Sequence, residues 1–134
     1  MVDRMPVILV VEDDAEMNDL ECELLEVHGL DSVAAYTGPE ALDKARRHGP
    51  DAVLLDAMLP EMDGFETCRR LRESRRDLPI VMITALDSED CRRRGFDAGV
   101  DAYFAKPFDP DDVVRTLRRL LDGTNSQNTP APED

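Results

Sequence analysis

Tryptophan is absent from this chain of 134 residues, and aromatic residues of any kind make up only 4% of it. A core assembled from such a sequence must be aliphatic, built of Val, Leu, Ile, Ala and Met. At 42% hydrophobic residues the chain has enough of them to pack one. Positive charge is also scarce: 16 Lys and Arg stand against 30 Asp and Glu, a formal net charge of −14. Such a surface repels phosphate backbones and anionic lipid, which excludes unaided nucleic-acid or membrane binding as the main activity. No apolar run approaches the roughly 18 residues that span a bilayer. The opening, Met1 to Pro6, lacks the apolar stretch of a secretion signal. Three cysteines, Cys22, Cys68 and Cys91, are an odd number without metal-ligand spacing. They are expected as reduced, partly buried thiols of a soluble cytoplasmic protein.

The length suits one domain and is too short for two of ordinary size. Short apolar runs alternate with longer amphipathic ones. Val7–Val11 has no polar alternation, so both faces of that strand should be buried. Asp13 and Asp14 follow as a helix start, and Met17, Leu20, Leu24 and Val27 recur at helical steps until His28-Gly29 ends the helix. Ser32–Tyr36 reads as a weaker strand nearer an edge. Thr37-Gly38-Pro39-Glu40 resembles a capping box, with Ala41, Leu42 and Ala45 as the inner face of its helix.

A third buried strand, Ala52–Leu55, ends at Asp56. The loop with Pro60 and Gly64 leads to a helix facing inward through Phe65, Cys68 and Leu71. Ile80–Thr84 is the fourth strand. Residues 88–98 form a poorly apolar helix anchored by Cys91, Phe96 and Ala98, with Gly95 weakening its interior. Val100–Ala105 is the last strand. Pro110–Leu121 is the last helix, with Val113, Val114, Leu117, Leu120 and Leu121 inward. Five strand–helix repeats predict an α/β fold, a doubly wound parallel sheet with helices on both faces. Residues 1–121 form the domain, and 122–134 read as a flexible tail or linker.

In such a sheet, sites form at the carboxyl ends of the strands. There the sequence places Glu12-Asp13-Asp14, Asp56, Thr84 and Lys106-Pro107. Converging carboxylates repel one another unless a cation sits among them, and a hard divalent ion that keeps some water, Mg²⁺, suits such a set. Taken singly, each residue also has a plain structural role: the acids as helix caps, Thr84 as a β-branched strand residue, Lys106-Pro107 as a turn.

Four segments in order, Val10–Asp14, Leu54–Gly64, Ile83–Ala85 and Tyr103–Phe108, resemble the receiver domain of two-component response regulators. The likeness covers residues 7–121 without evident gaps. It implies a flavodoxin-like sheet of order 2-1-3-4-5 flanked by five helices, and a cis peptide bond at Lys106-Pro107. It also implies that Asp56 accepts a phosphoryl group from a sensor histidine kinase, a phosphotransfer protein or a small acyl phosphate. By the same resemblance Asp13 and Asp56 ligate Mg²⁺ (Mn²⁺ as a substitute) directly, Glu12 does so through water, and the Met58 main-chain carbonyl is a further ligand. Lys106 pairs with Asp56 and then with a phosphoryl oxygen, while the Thr84 hydroxyl takes another. A carboxylate nucleophile gives a labile acyl phosphate, which suits a transient signal rather than a turnover enzyme.

The resemblance makes Thr84 and Tyr103 the switch residues, Thr84 moving toward the phosphoryl group and Tyr103 swinging inward behind it. Residues 88–98 have the fewest apolar anchors and should shift most easily. Arg92-Arg93-Arg94 with Arg115, Arg118 and Arg119 would then place positive charge on a responsive surface over residues 88–121, which would control a protein target, an output domain or a phosphorylation-dependent homodimer. Asp101-Ala102-Tyr103 lacks the second acid often seen in receivers joined to winged-helix domains, and with it one side of their salt-bridged dimer. Met58 and Leu86, which flank the site, hold an attacking water poorly, so a fairly long-lived phosphoryl group is expected.

Three other classes compete. An aspartate-nucleophile phosphatase needs an acid two residues after the nucleophile, where Met58 stands. A flavin or nucleotide binder needs a phosphate loop where Glu12-Asp13-Asp14 would repel phosphate. A degenerate receiver, acting as a phosphorylation-independent interaction module, is opposed by the intact Asp13, Asp56, Thr84 and Lys106.

Overall fold

The computed structural model of the protein describes residues 4–123. Five strands and five helices alternate: β1 (Val7–Val11), α1 (Ala15–Val27), β2 (Asp31–Ala35), α2 (Gly38–His48), β3 (Ala52–Asp56), α3 (Gly64–Ser74), β4 (Ile80–Thr84), α4 (Glu89–Ala98), β5 (Ala102–Ala105) and α5 (Pro110–Gly123). The strands form one parallel sheet in the order β2-β1-β3-β4-β5, as expected. The segment read as a tail falls almost wholly outside the described residues.

The side-chain period of two divides each buried strand between two cores. Leu9, Val11, Val53, Leu55, Ile80 and Met82 pack on the side of α2, α3 and α4. Ile8, Val10, Leu54, Val81 and Ile83 pack against Leu25 of α1 and Val113, Val114 and Leu117 of α5. The helix starts carry the chemistry their sequence announces. Asp14 caps α1, accepting from Glu16 and Met17 N–H. Thr37 Oγ1 accepts from Glu40 N–H while Glu40 Oε1 accepts from Tyr36 N–H, a reciprocal cap one residue longer than the standard box.

Several sequence expectations need correction. In α1 the buried positions are Asn18, Glu21 and Leu25. Leu20 and Val27 are 58% and 81% exposed, so the apolar stripe is turned largely to solvent. Phe96 is exposed rather than an anchor of α4, and Gly95 is buried. A Cβ on Gly95 would stand 2.9 Å from the Tyr103 ring, so this glycine permits close approach of helix and strand. Strand β5 begins at Ala102 because Val100 N–H is still bonded to Gly95 O in the cap of α4. Helix α5 continues two residues past its expected end. All three cysteines are free, with Cys68 buried.

Candidate functional site

Register sets the site. Val11 pairs with Leu55 and Thr84 with Ala105, so Glu12, Asp56, Thr84 and Lys106 all emerge at the carboxyl edge of the sheet. Lys106 N–H donates to Thr84 O at 2.8 Å, continuing the ladder one residue beyond β5. The Lys106-Pro107 peptide bond is cis.

Three side chains join directly. Lys106 Nζ donates to Asp56 Oδ2 at 2.9 Å and to Glu12 Oε1 at 2.8 Å. Met58 N–H donates to Asp56 Oδ1 at 2.8 Å, so both oxygens of that carboxylate are oriented. Asp14 N–H donates to Glu12 Oε2 at 3.0 Å. The two carboxylates are only 3% (Glu12) and 6% (Asp56) exposed. Burial pushes the Glu12 carboxyl above its usual range, against the pull of Lys106 and with Asp56 adding to the rise. Burial alone would lower Lys106, but its bonds to Glu12 and Asp56 outweigh this and hold it above the ordinary lysine value.

The consecutive acids divide their work. Glu12 is buried against Lys106, Asp14 caps α1, and Asp13 is left exposed at the rim. Thr84 is fully buried, its Oγ1 accepting from Leu86 N–H at 3.3 Å, and no hydrogen bond ties it to Asp56. Tyr103 lies inward: its ring packs beside Gly95 and its hydroxyl donates to Leu86 O at 2.6 Å. Arg92 stacks over that ring, 5.0 Å from its centroid. Of the other arginines expected on this surface, Arg94 lies over Phe65, Arg93 pairs with Asp90 and Arg115 with Asp112. Arg118 instead reaches back to His28 O at the end of α1.

Around Asp56 the available donors are hard oxygens: two buried carboxylates, the exposed carboxylate of Asp13 and nearby main-chain carbonyls. One ammonium does not balance the charge of two carboxylates, so a small divalent cation fits the chemistry. Among the described residues no three acidic, His or Cys side chains form a ready metal cluster. The carboxylates would therefore need completion by carbonyl oxygen and water, which is the habit of Mg²⁺. Glu12, both of whose oxygens already accept hydrogen bonds, suits an outer position.

Two contributors escaped the sequence reading. Asn18 Nδ2 donates to Val10 O, Glu12 O and Ala35 O at 3.1–3.3 Å, tying the ends of β1 and β2 beneath the acids. Glu21 is buried on the same helical face. Their shared spacing with Leu25 was the available signal, hidden by the assumption that an inner face is apolar.

The family model for the response regulator receiver domain matches residues 8–118. The chain is 43% identical over 127 residues to the response regulator MprA of Mycobacterium sp. (strain KMS), covering 94% of this chain and 55% of that protein. It is 41% identical over 123 residues to the DNA-binding dual master transcriptional regulator RpaA of Synechocystis sp., covering 90% and 51%. The chain thus spans about half the length of these curated relatives. Among solved structures, a CheY-like receiver domain protein from Methanospirillum hungatei superposes with a TM-score of 0.87 at 29% identity, covering 92% of this chain and 99% of that one. The BeF3-activated DrrB receiver domain gives 0.81 at 31% identity, covering 89% and 99%.

Proposed function

Because this chain belongs to the family of response regulator receiver domains, we propose that Asp56 is its phosphoacceptor and that its partner is a sensor histidine kinase or a phosphotransfer protein. The observation that carries this reading is the held carboxylate: buried, oriented by Met58 N–H and set 2.9 Å from the Lys106 ammonium. In the reaction a carboxylate oxygen of Asp56 attacks phosphorus. The bond from phosphorus to the donor imidazole nitrogen breaks, and that nitrogen keeps the electron pair. The product is an acyl phosphate, and the protein's share is positioning and charge neutralisation.

Lys106 turns from Asp56 to the incoming phosphoryl oxygens, and Thr84 offers its hydroxyl to another. Asp13, Asp56 and the Met58 carbonyl would hold Mg²⁺, with Glu12 in the outer position; the ion would supply further positive charge to the phosphoryl oxygens. Residues 1–121 act as the signalling unit, self-phosphorylating and self-dephosphorylating but not turning over a substrate. Among the described residues no helix is long and apolar enough to cross a membrane.

The output is proposed to leave through α4, β5 and α5. Tyr103 and Arg92 link that surface to Leu86 beside Thr84. An attached output domain beyond residues 122–134, a separate protein target or a second copy of the chain would read it. RpaA is named a DNA-binding transcriptional regulator, and a DNA-binding output is one such reader. The test is exposure to acetyl phosphate with Mg²⁺, followed by intact mass measurement. The wild type should gain one phosphoryl group, and Asp56→Asn, or omission of the metal, should abolish the gain. A phosphorylated Asp56→Asn would overturn the assignment.

A further inference from the structure

A cavity of about 460 Å³ opens between the carboxyl-terminal halves of α2 and α3. It lies beside the residues that lead into β3 and β4, at the opposite end of the sheet from Asp56. Leu42 and Ala45 of α2, with Leu71 and Leu78, give it an apolar wall. Three arginines, Arg46, Arg70 and Arg75, share its lining with one acid, Glu73. In a chain of net charge −14, the balance of sign is reversed at this place.

Neighbouring ion pairs do not cancel the excess. Asp43 is divided between Arg46 and Arg47, and Glu66 between Arg69 and Arg70, so each carboxylate meets two guanidiniums. Arg75 has no such partner among the described residues. Two acids share a smaller cavity with it, but Asp51 is bonded by Arg4 and Val7 N–H, and neither Asp51 nor Asp77 comes within ion-pair distance. The Arg75 side chain is anchored through Nη1, which donates to Pro50 O at 2.9 Å. Its Nε and Nη2 hydrogens have no partner among the described residues. That edge of a guanidinium offers two parallel donors, the geometry that takes both oxygens of a carboxylate. The volume lies within the range of small-molecule sites, and the apolar wall suits a hydrocarbon body behind the anion.

We propose that this cavity binds a small organic carboxylate, its apolar body against Leu42 and Ala45 and its two oxygens on the free edge of Arg75. The exposed Arg46 and Arg70 add attraction that salt weakens. The site shares no residue with the phosphoryl edge or with the surface over residues 88–121. Titration of the full, unphosphorylated chain with sodium hexanoate, read by backbone amide spectra, tests it. Saturable shifts are expected at residues 42–49 and 70–78, with 1-hexanol weaker by roughly fivefold or more. Arg75→Gln, its fold checked by the same spectra, should lose that preference for the anion. Leu42→Trp, which fills the cavity from its wall and keeps every arginine, should abolish binding. Absence of saturation in the wild type, shifts gathered elsewhere, an unchanged preference in Arg75→Gln or full affinity in Leu42→Trp would overturn the proposal. Labelling of Asp56 by acetyl phosphate is a separate measurement, so failure here leaves that assignment untouched.

Discussion

At the amino end of the sheet Arg72 gathers acceptors around one cation, and at the carboxyl end Lys106 does the same. The outcomes are opposite. Arg72 donates to Gly99 O, Leu78 O and Arg76 O, and its one ion pair is with Asp101 at 3.1 Å. Asp101 in turn accepts from Ile80 N–H. One positive charge meets one negative, the remaining acceptors are neutral carbonyls, and the joint between α3, β4 and β5 is closed. Lys106 meets two buried carboxylates, with Asp13 exposed at the rim. Its end of the sheet stays short of positive charge. A saturated cation makes a joint, and an outnumbered one leaves a place for further charge to enter.

The largest test of this contrast is Lys106→Met. Removing one partner from a buried ionic group typically costs ~3–5 kcal/mol, and urea unfolding at neutral pH should show a loss of that order. Glu12, already raised and then without its lysine, takes up its proton more readily, so the deficit should shrink as pH falls. A loss independent of pH would mean that Glu12 carries no strain. Arg72→Met strips partners from several part-buried carbonyls at once and should cost about 2–3 kcal/mol by the same measurement. Its phosphorylation by acetyl phosphate should stay near the wild-type level; a marked drop would erase the distinction between the two ends.

Glu21→Leu sharpens the comparison on the crowded side. An acid whose folded value is raised favours the folded state below its unfolded value near 4.5 and loses that advantage as pH climbs toward 8. The leucine variant escapes the loss. It should therefore outlast the wild type by on the order of 2 kcal/mol at pH 8 and by much less at pH 5, as read by thermal unfolding. The smallest effect concerns lifetime. Met58 is exposed beside Asp56, and its thioether has no donor and is only a weak acceptor for water. Met58→Asn should shorten the acyl phosphate several-fold, a change of about 1 kcal/mol in barrier, followed by loss of the phosphorylated mass over time.

Strands were the most legible part of the fold. Ile80–Thr84 is bounded in the structure as its unbroken apolar run suggests, because a strand buried on both faces leaves no polar interruption to misread. The edge was legible for the same reason, since the polar residue that ends each such run marks where the strand stops, and Glu12, Asp56, Thr84 and Lys106 all stand there. Helix α1 was not. Its inner face carries Asn18 because the last carbonyls of β1 and β2 need a donor, and that need exists only once the strands lie side by side. The role of Gly95 was equally hidden: its partner Tyr103 lies eight residues on, and only the packing of α4 on β5 brings them together. Helical period is a property of one segment, while these contacts belong to two.

Residues 57–63 form a loop with a narrow neck. Gly64 N–H bonds to Ala57 O at 2.9 Å, pinching the two ends of the loop together. A Cβ at Gly64 would strike Asp56 O at 2.2 Å, so the neck tolerates nothing bulkier there. The enclosed stretch hangs from that neck like a bead from a clasp. The Met58 side chain points outward from it and can be exchanged while the clasp and the Met58 N–H keep the Asp56 carboxylate in place, which would separate the lifetime of an acyl phosphate from the holding of its acceptor.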